Sequence, residues 1–390
     1  MLPFIDLHSQ FKRIQAEVEE RVTTVLRSGQ YILGPEVSEF EDKLAEFAKV
    51  KHAISCSSGT DALIIALMAK GVGPGDAIFT TPFTYFATAE VIALLGATPI
   101  FVDIDISTFN IDPSALKSAI LALKKCDTSN NALPKWPLEE LRSLNPRGII
   151  TVDLFGLPAD HDRINPIAAE HDLFVLEDAA QGFGGEVNGR RAGTLAEVGS
   201  TSFFPAKPLG CYGDGGALFT NDDNLAALFR SIRVHGRGVD KYENVRLGIT
   251  GRLDALQAAV LIPKLSIFPD ELNSRQRAAV TYEKLISSSN LDIITPEVPD
   301  GYCSAWAQYS ILAPDQIGRQ SLLDKLKVAG VPTMIYYKKP LHLQKALSNL
   351  GYKVGDFPVS EEASERIFSL PMHPYLDDNV IAGIVDAMIH

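Results

Sequence analysis

Between His52 and Thr220 seven short apolar runs recur, HAISC, AIFTT, TPIFV, GIITV, LFVLE, STSFF and GALFT, separated by stretches with helical spacing. None of them alternates polar and apolar residues as a half-exposed strand would. Strands that lack alternation are buried on both faces, and that requires a mostly parallel sheet covered by helices on both sides. In such α/β sheets ligands sit beyond the carboxyl ends of the strands. Chemistry is therefore expected in the residues that directly follow each run.

The rest of the chain frames this sheet. Residues 11–27 and 36–48 carry apolar groups at helical spacing, with Gly29 as a stop after the first. Residues 253–287 read as one long helix or a pair broken at Pro263 and Pro269. Beyond it, strand-like WAQYSIL and PTMIYY and helical QSLLDKLKVAG and NVIAGIVDAMI indicate a smaller α+β unit. The expected division is a large domain over 1–252, including the N-terminal helices, and an interdomain helix with a small C-terminal domain over 253–390. Residues 124–147, with three lysines and three prolines, read as a surface excursion.

Composition excludes several function classes. A chain of 390 residues, 46% hydrophobic, can bury a sizeable core and is neither a coiled coil nor a disordered segment. A net charge of −12 gives no overall field to gather nucleic acid or an anionic membrane. Any anionic ligand must meet local positive charge. The four cysteines are scattered, with no C-x-x-C pair, and no apolar run approaches the roughly 18 residues that span a bilayer. A soluble cytoplasmic protein is expected.

Three patterns carry chemistry. Ser57-Ser58-Gly59-Thr60-Asp61 follows HAISC and opens a helix, where free N–H groups favour an anion such as a phosphate. Glu177-Asp178-Ala179-Ala180-Gln181 follows LFVLE, so an acid and an amide three residues on can address two atoms of one ring. Lys207 lies between STSFF and a glycine-rich turn, flanked by prolines and aromatics. A lysine held still and partly desolvated there has a lowered pKa and becomes a nucleophile toward aldehydes. An anion site, an acid for a ring nitrogen and an amine for a carbonyl together match pyridoxal 5′-phosphate. No metal site is expected.

The stretches SGTDAL, EDAAQGFG, SFFPAKPLGCYGDGGALFTND and GRLDALQAAVL, with FIDLHSQF, SGQYILGPEV and SLPMHPYL, resemble the DegT/StrS family of nucleotide-sugar aminotransferases over nearly the whole chain. The branch it resembles most aminates the 3-keto form of UDP-N-acetylglucosaminuronic acid. The resemblance implies the aspartate-aminotransferase fold (fold type I) and pyridoxal phosphate as cofactor, with pyridoxamine phosphate as its other form. It makes Lys207 the amine that bonds the cofactor, Asp178 the partner of its ring nitrogen and Gln181 a contact of its phenolic oxygen. Gly59, Thr60 and Ser202 would hold the phosphate, and Tyr85 would cover the ring. L-glutamate is the implied amino donor and a UDP-sugar the acceptor, in surface-polysaccharide synthesis. The implied assembly is a homodimer whose sites lie at the interface, with residues 230–252 crossing into the partner's site.

That segment carries five arginines and Lys241 against Asp240 and Glu243, a local charge of +4. Arg252 stands where the sugar carboxylate would be met. Thr250 replaces a frequent asparagine that reaches the partner's cofactor phosphate, and Tyr336-Tyr337-Lys338 replaces a frequent His-Tyr-Pro, placing Tyr336 on the substrate side. The alternatives are another nucleotide-linked 3- or 4-keto-6-deoxy sugar, and a non-catalytic regulator on the same fold, whose mark would be loss of the lysine or the acid.

Overall fold

The computed structural model describes residues 2–240 and 242–390; Lys241, counted in the basic segment above, lies outside them. Two helices lead, α1 (Leu7–Ser28), stopped by Gly29 in the left-handed conformation, and α2 (Pro35–Ala48). All seven apolar runs then enter one sheet: β1 (His52–Cys56), β2 (Asp76–Thr80), β3 (Thr98–Phe101), β4 (Asn145–Val152), β5 (Phe174–Asp178), β6 (Val198–Ser202) and β7 (Gly216–Thr220). Their order is β1-β7-β6-β5-β4-β2-β3. β7 is antiparallel to both β1 and β6, and the other neighbours are parallel. This mixed, mostly parallel sheet is the fold-type-I architecture. Every residue of β3 and β7 is buried, as strands covered on both faces must be.

One strand is displaced from its expected place. STSFF predicts a strand over 200–204, whereas β6 ends at Ser202. Phe203 leaves the sheet to pack edge-on against Phe40 of α2, with ring centroids 5.4 Å apart. The apolar pattern thus continues past the strand because Phe203 belongs to the core under α2, while Phe204 is exposed at the cleft. Lys207 is carried clear of the sheet by this turn.

The helix after the sheet, Ala255–Ser287, is continuous through both Pro263 and Pro269. Each interior proline costs roughly 3 kcal/mol, but the helix is buried along most of its length, including Ala258, Leu261, Phe268, Ala278 and Tyr282. That burial holds it together. Past it, β8 (Tyr309–Leu312) and β9 (Ile367–Leu370) form an antiparallel pair. They share a second core with Tyr282, Trp306, Leu326 and Ile384.

Two other segments differ from expectation. PTMIYY is not a strand; it makes a single bridge, Met334 to Ser369. Its aromatic end packs instead on Phe83, Phe109 and Phe155, so a strand-like composition here serves a wall. The 124–147 excursion is anchored rather than free. Trp136 Nε1 donates to the Asn349 carbonyl at 2.7 Å, Lys135 N to Leu350 O at 2.9 Å, and Tyr352 OH to Ala132 O at 2.6 Å. It clasps the C-terminal segment onto the sheet. Among the described residues no helix is long and apolar enough to cross a membrane, and all four cysteines are free.

Candidate active site

The helix Gly59–Ala69 (α3) begins where β1 ends. Ser58 caps it, its Oγ accepting from Asp61 N at 3.0 Å. The N–H groups of Gly59 and Thr60, in the first turn, have no intrahelical partner and carry the positive end of the helix dipole. Gly59 is required by space: a Cβ there would stand 2.6 Å from Ser202 Cβ. The close approach sets the Ser202 hydroxyl, at the end of β6, beside these N–H groups. Two backbone donors and one hydroxyl make a cradle for a phosphate.

Asp178 ends β5 and is buried. Its Oδ1 accepts from Ala180 N at 3.2 Å and its Oδ2 from Thr88 Oγ1 at 3.1 Å. Burial pushes its pKa up, while Ala180 N, the nearby Lys207 charge and Thr88 pull it back. A cation at this carboxylate would complete the compensation.

Directly behind lie Asp153, Glu177 and His161, all fully buried, each offering an atom within 4.8 Å of the others. Glu177 accepts from Gly193 N at 2.6 Å and Leu195 N at 2.8 Å, and Asp153 Oδ1 from Ala159 N at 2.9 Å. Burial first, then mutual repulsion, pushes Glu177 up to about 8; burial pushes Asp153 up to about 7. Two carboxyls so close in a dry site favour holding one proton between them, and Asp153 Oδ2, which has no other partner, is an oxygen such a proton would satisfy. His161 is held neutral by burial.

The folded pair keeps a proton that the unfolded chain has already lost, so its contribution to stability falls as pH rises from about 4 to about 8. Relative to Glu177→Gln, which carries a permanently neutral side chain, the wild type is expected to lose stability across that window. Denaturation midpoints of the two proteins, measured against pH, check this. Parallel profiles would mean that the pair holds no extra proton in the fold.

Lys207 lies in the turn after β6, where Lys207 N donates to Phe204 O at 2.8 Å. Loss of water lowers its pKa, and the charge of Asp178 partly opposes that. Gln181 is fixed at both ends: its Oε1 accepts from Phe155 N at 2.9 Å and its Nε2 donates to Tyr337 OH at 3.1 Å. The amide nitrogen retains a second hydrogen to donate. Tyr85 is 61% exposed, so its ring is not core packing.

Gly59, Thr60, Tyr85, Asp178, Gln181, Ser202, Lys207 and Tyr336 all line one cleft of about 760 Å³. Thr250 and Arg252 do not line it. Thr250 is exposed, its hydroxyl 2.7 Å from His235 Nε2. The basic segment is also less free than its composition implies, because Arg233 is buried against Glu41 at 2.5 Å and Ser55 O at 2.6 Å. The sequence patterns gave no role to Thr88, Gln308 or Lys339, and quoted Tyr337 only within the motif around Tyr336, although all four touch or line the site. Only Tyr337 and Lys339 had a signal, as neighbours of Tyr336 and Lys338.

A phosphate cradle, a buried acid and a desolvated amine around one cleft fit pyridoxal 5′-phosphate. The comparisons with known proteins agree. A family model described as the DegT/DnrJ/EryC1/StrS aminotransferase family matches residues 12–389. The chain is 46% identical to the UDP-2-acetamido-2-deoxy-3-oxo-D-glucuronate aminotransferase of Pseudomonas aeruginosa, covering 100% of this chain and 99% of that one. It is 42% identical to a protein of Geobacillus stearothermophilus named pleiotropic regulatory protein, over 99% of this chain and 97% of that one. A crystal structure of a DegT/DnrJ/EryC1/StrS aminotransferase from Brucella abortus superposes with a TM-score of 0.92 at 46% identity, covering 100% and 99% of the two chains. The chain belongs to the DegT/DnrJ/EryC1/StrS aminotransferase family.

Proposed function

We propose that this protein is a pyridoxal-phosphate-dependent aminotransferase that moves the amino group of L-glutamate to UDP-2-acetamido-2-deoxy-3-oxo-D-glucuronate, in the cytoplasm, for surface-polysaccharide synthesis. The observation that carries the reading is the convergence of Lys207, Asp178 and the Gly59-Thr60-Ser202 cradle on one cleft. When bound, the cofactor supplies an aldehyde and an electron-withdrawing pyridine ring.

The residues divide the remaining work. The cradle fixes the phosphate and so the position of everything attached to it. Asp178, as an anion, holds a proton on the ring nitrogen. With the cofactor bound, Gln181 would donate to the ring's oxygen and Tyr85 would cover one face. Lys207, whose lowered pKa leaves more of it as free amine at neutral pH, takes the α proton of the donor and returns a proton to the product. One group serves as anchor, base and acid. Because donor and acceptor use the same cleft in turn, the kinetics are ping-pong.

In a homodimer, Thr250 and Arg252 would act in the partner's site. The exposed apolar side chains Val239, Val245 and Leu247 beside them, with Tyr31 and Ile32, support an interface there. The regulatory name of the Geobacillus relative favours a second reading, a non-catalytic protein. Retention of both Lys207 and Asp178 in the cleft opposes it.

The test is a pair of half-reactions. Purified, cofactor-loaded protein given L-glutamate alone should release one 2-oxoglutarate per site and lose its visible absorption. The 3-oxo uronate should then restore the spectrum and appear as the 3-amino sugar. Release of no 2-oxoglutarate would favour the regulator. Restoration by 4-keto-6-deoxy sugars but not by the uronate would move the substrate to the other branch of the family.

A further inference from the structure

The cofactor's phosphate takes the α3 cradle, yet the cleft holds more positive charge than that site uses. Its lining includes Lys338 and Lys339 besides Lys207, against the acids Asp178 and Asp214. Among the described residues neither Lys338 nor Lys339 forms an ion pair. In a chain of net charge −12, two adjacent ammonium groups left without a carboxylate are an unbalanced feature.

The backbone that bears them is fixed. Just before them, Tyr337 OH accepts from Gln181 at 3.1 Å and the Tyr337 ring stands edge-on to Phe83, 6.2 Å between centroids. Just after, Leu341 N donates to Pro82 O at 2.7 Å, and Gln344 Nε2 donates to Lys339 O at 3.2 Å. The lysines therefore stand on a wall pinned at both ends. Gln308 lines the same cleft with a buried, unpartnered Oε1, an acceptor free for a sugar hydroxyl or amide.

We propose that Lys338 and Lys339 form a second anion subsite, which holds the diphosphate or the carboxylate of the nucleotide-linked sugar while its keto carbon faces Lys207. The proposal rests on the aminotransferase reading for its substrate. It assigns specificity to a pair that stands in the same chain as the catalytic lysine, independent of any residue from a partner. An ammonium is a strong but non-directional partner for either anion, so the shared chemistry is negative charge.

Calorimetric titration of the cofactor-loaded enzyme with UDP, UDP-N-acetylglucosamine and UDP-N-acetylglucosaminuronate tests it. Both lysines are exposed, so Lys338→Gln, Lys339→Gln and the double variant should keep the wild-type melting temperature. The double variant is expected to bind the uronate about tenfold more weakly or worse, and the gap should close as salt is raised. An equal loss for all three ligands assigns the pair to the diphosphate; a loss confined to the uronate assigns it to the carboxylate. Affinities within about twofold of wild type for every ligand, or no binding by the wild type, would overturn the subsite. The two readings fail separately. A wild type without transaminase activity whose ligand binding still depends on the lysines keeps the subsite and loses the reaction, and an active enzyme indifferent to both substitutions does the reverse.

Discussion

Lys207→Ala is expected to lower steady-state transamination by more than about a thousandfold, because in the proposed reaction one amine would both anchor the cofactor and move the proton. Folding should survive. Lys207 is only partly buried, makes no side-chain hydrogen bond or ion pair among the described residues, and lies in a turn held by backbone bonds. Removing a desolvated ammonium should cost the fold little, and the cradle and Asp178 would remain to hold the cofactor without a covalent bond. Borohydride reduction followed by peptide mass analysis separates the two functions. The wild type should carry the cofactor's mass on Lys207, and the variant on no residue. Two results would count against the assignment: turnover by the variant within tenfold of wild type, or a fixed cofactor mass on another lysine. A collapse in melting temperature would instead make Lys207 a structural residue.

The sheet was legible because each strand is a local run of buried residues, and the three loops were legible because each directly follows such a run. Gly59, Asp178 and Lys207 were singled out from their neighbours alone, and the fold brings them to one cleft. What was not legible is brought together over long separations. Thr88 reaches Asp178 across 90 positions and Gln181 meets Tyr337 across 156, and no spacing rule anticipates either. The strand-like look of PTMIYY misled for the same reason. β-branched and aromatic residues suit a sheet, but they also suit a wall packed on Phe83 and Phe155, and tertiary contacts decide between the two. The closeness of Asp153 and Glu177 was hidden for a different reason. Adjacent strands align Val152 with Asp178, and only that register brings the next acid on β4's side against Glu177.

The second large effect is that of Asp178→Asn, for which a rate loss of about a hundredfold or more is expected. The ring nitrogen stays protonated only beside an anion. Asp178 can remain one because Ala180 N, the Lys207 charge and Thr88 Oγ1 oppose the penalty of burial, and the ring nitrogen's own charge would add to them. Asparagine keeps the shape. Its oxygen can accept from Ala180 N and its amide can donate to Thr88 Oγ1, so both hydrogen bonds of the carboxylate have replacements. In the cofactor-free protein the substitution removes a buried charge whose pKa is raised by burial, an unfavourable ground state. Stability and activity should therefore move apart. The cofactor-free variant should melt at or above the wild-type temperature, while the rise in melting temperature on adding pyridoxal phosphate should shrink along with the rate. Scanning calorimetry with and without cofactor, set beside the half-reaction rate with glutamate, reads both. A rate within a few-fold of wild type would remove Asp178 from the ring nitrogen. A drop of several degrees in the cofactor-free protein would show a carboxylate kept for the fold rather than for the chemistry.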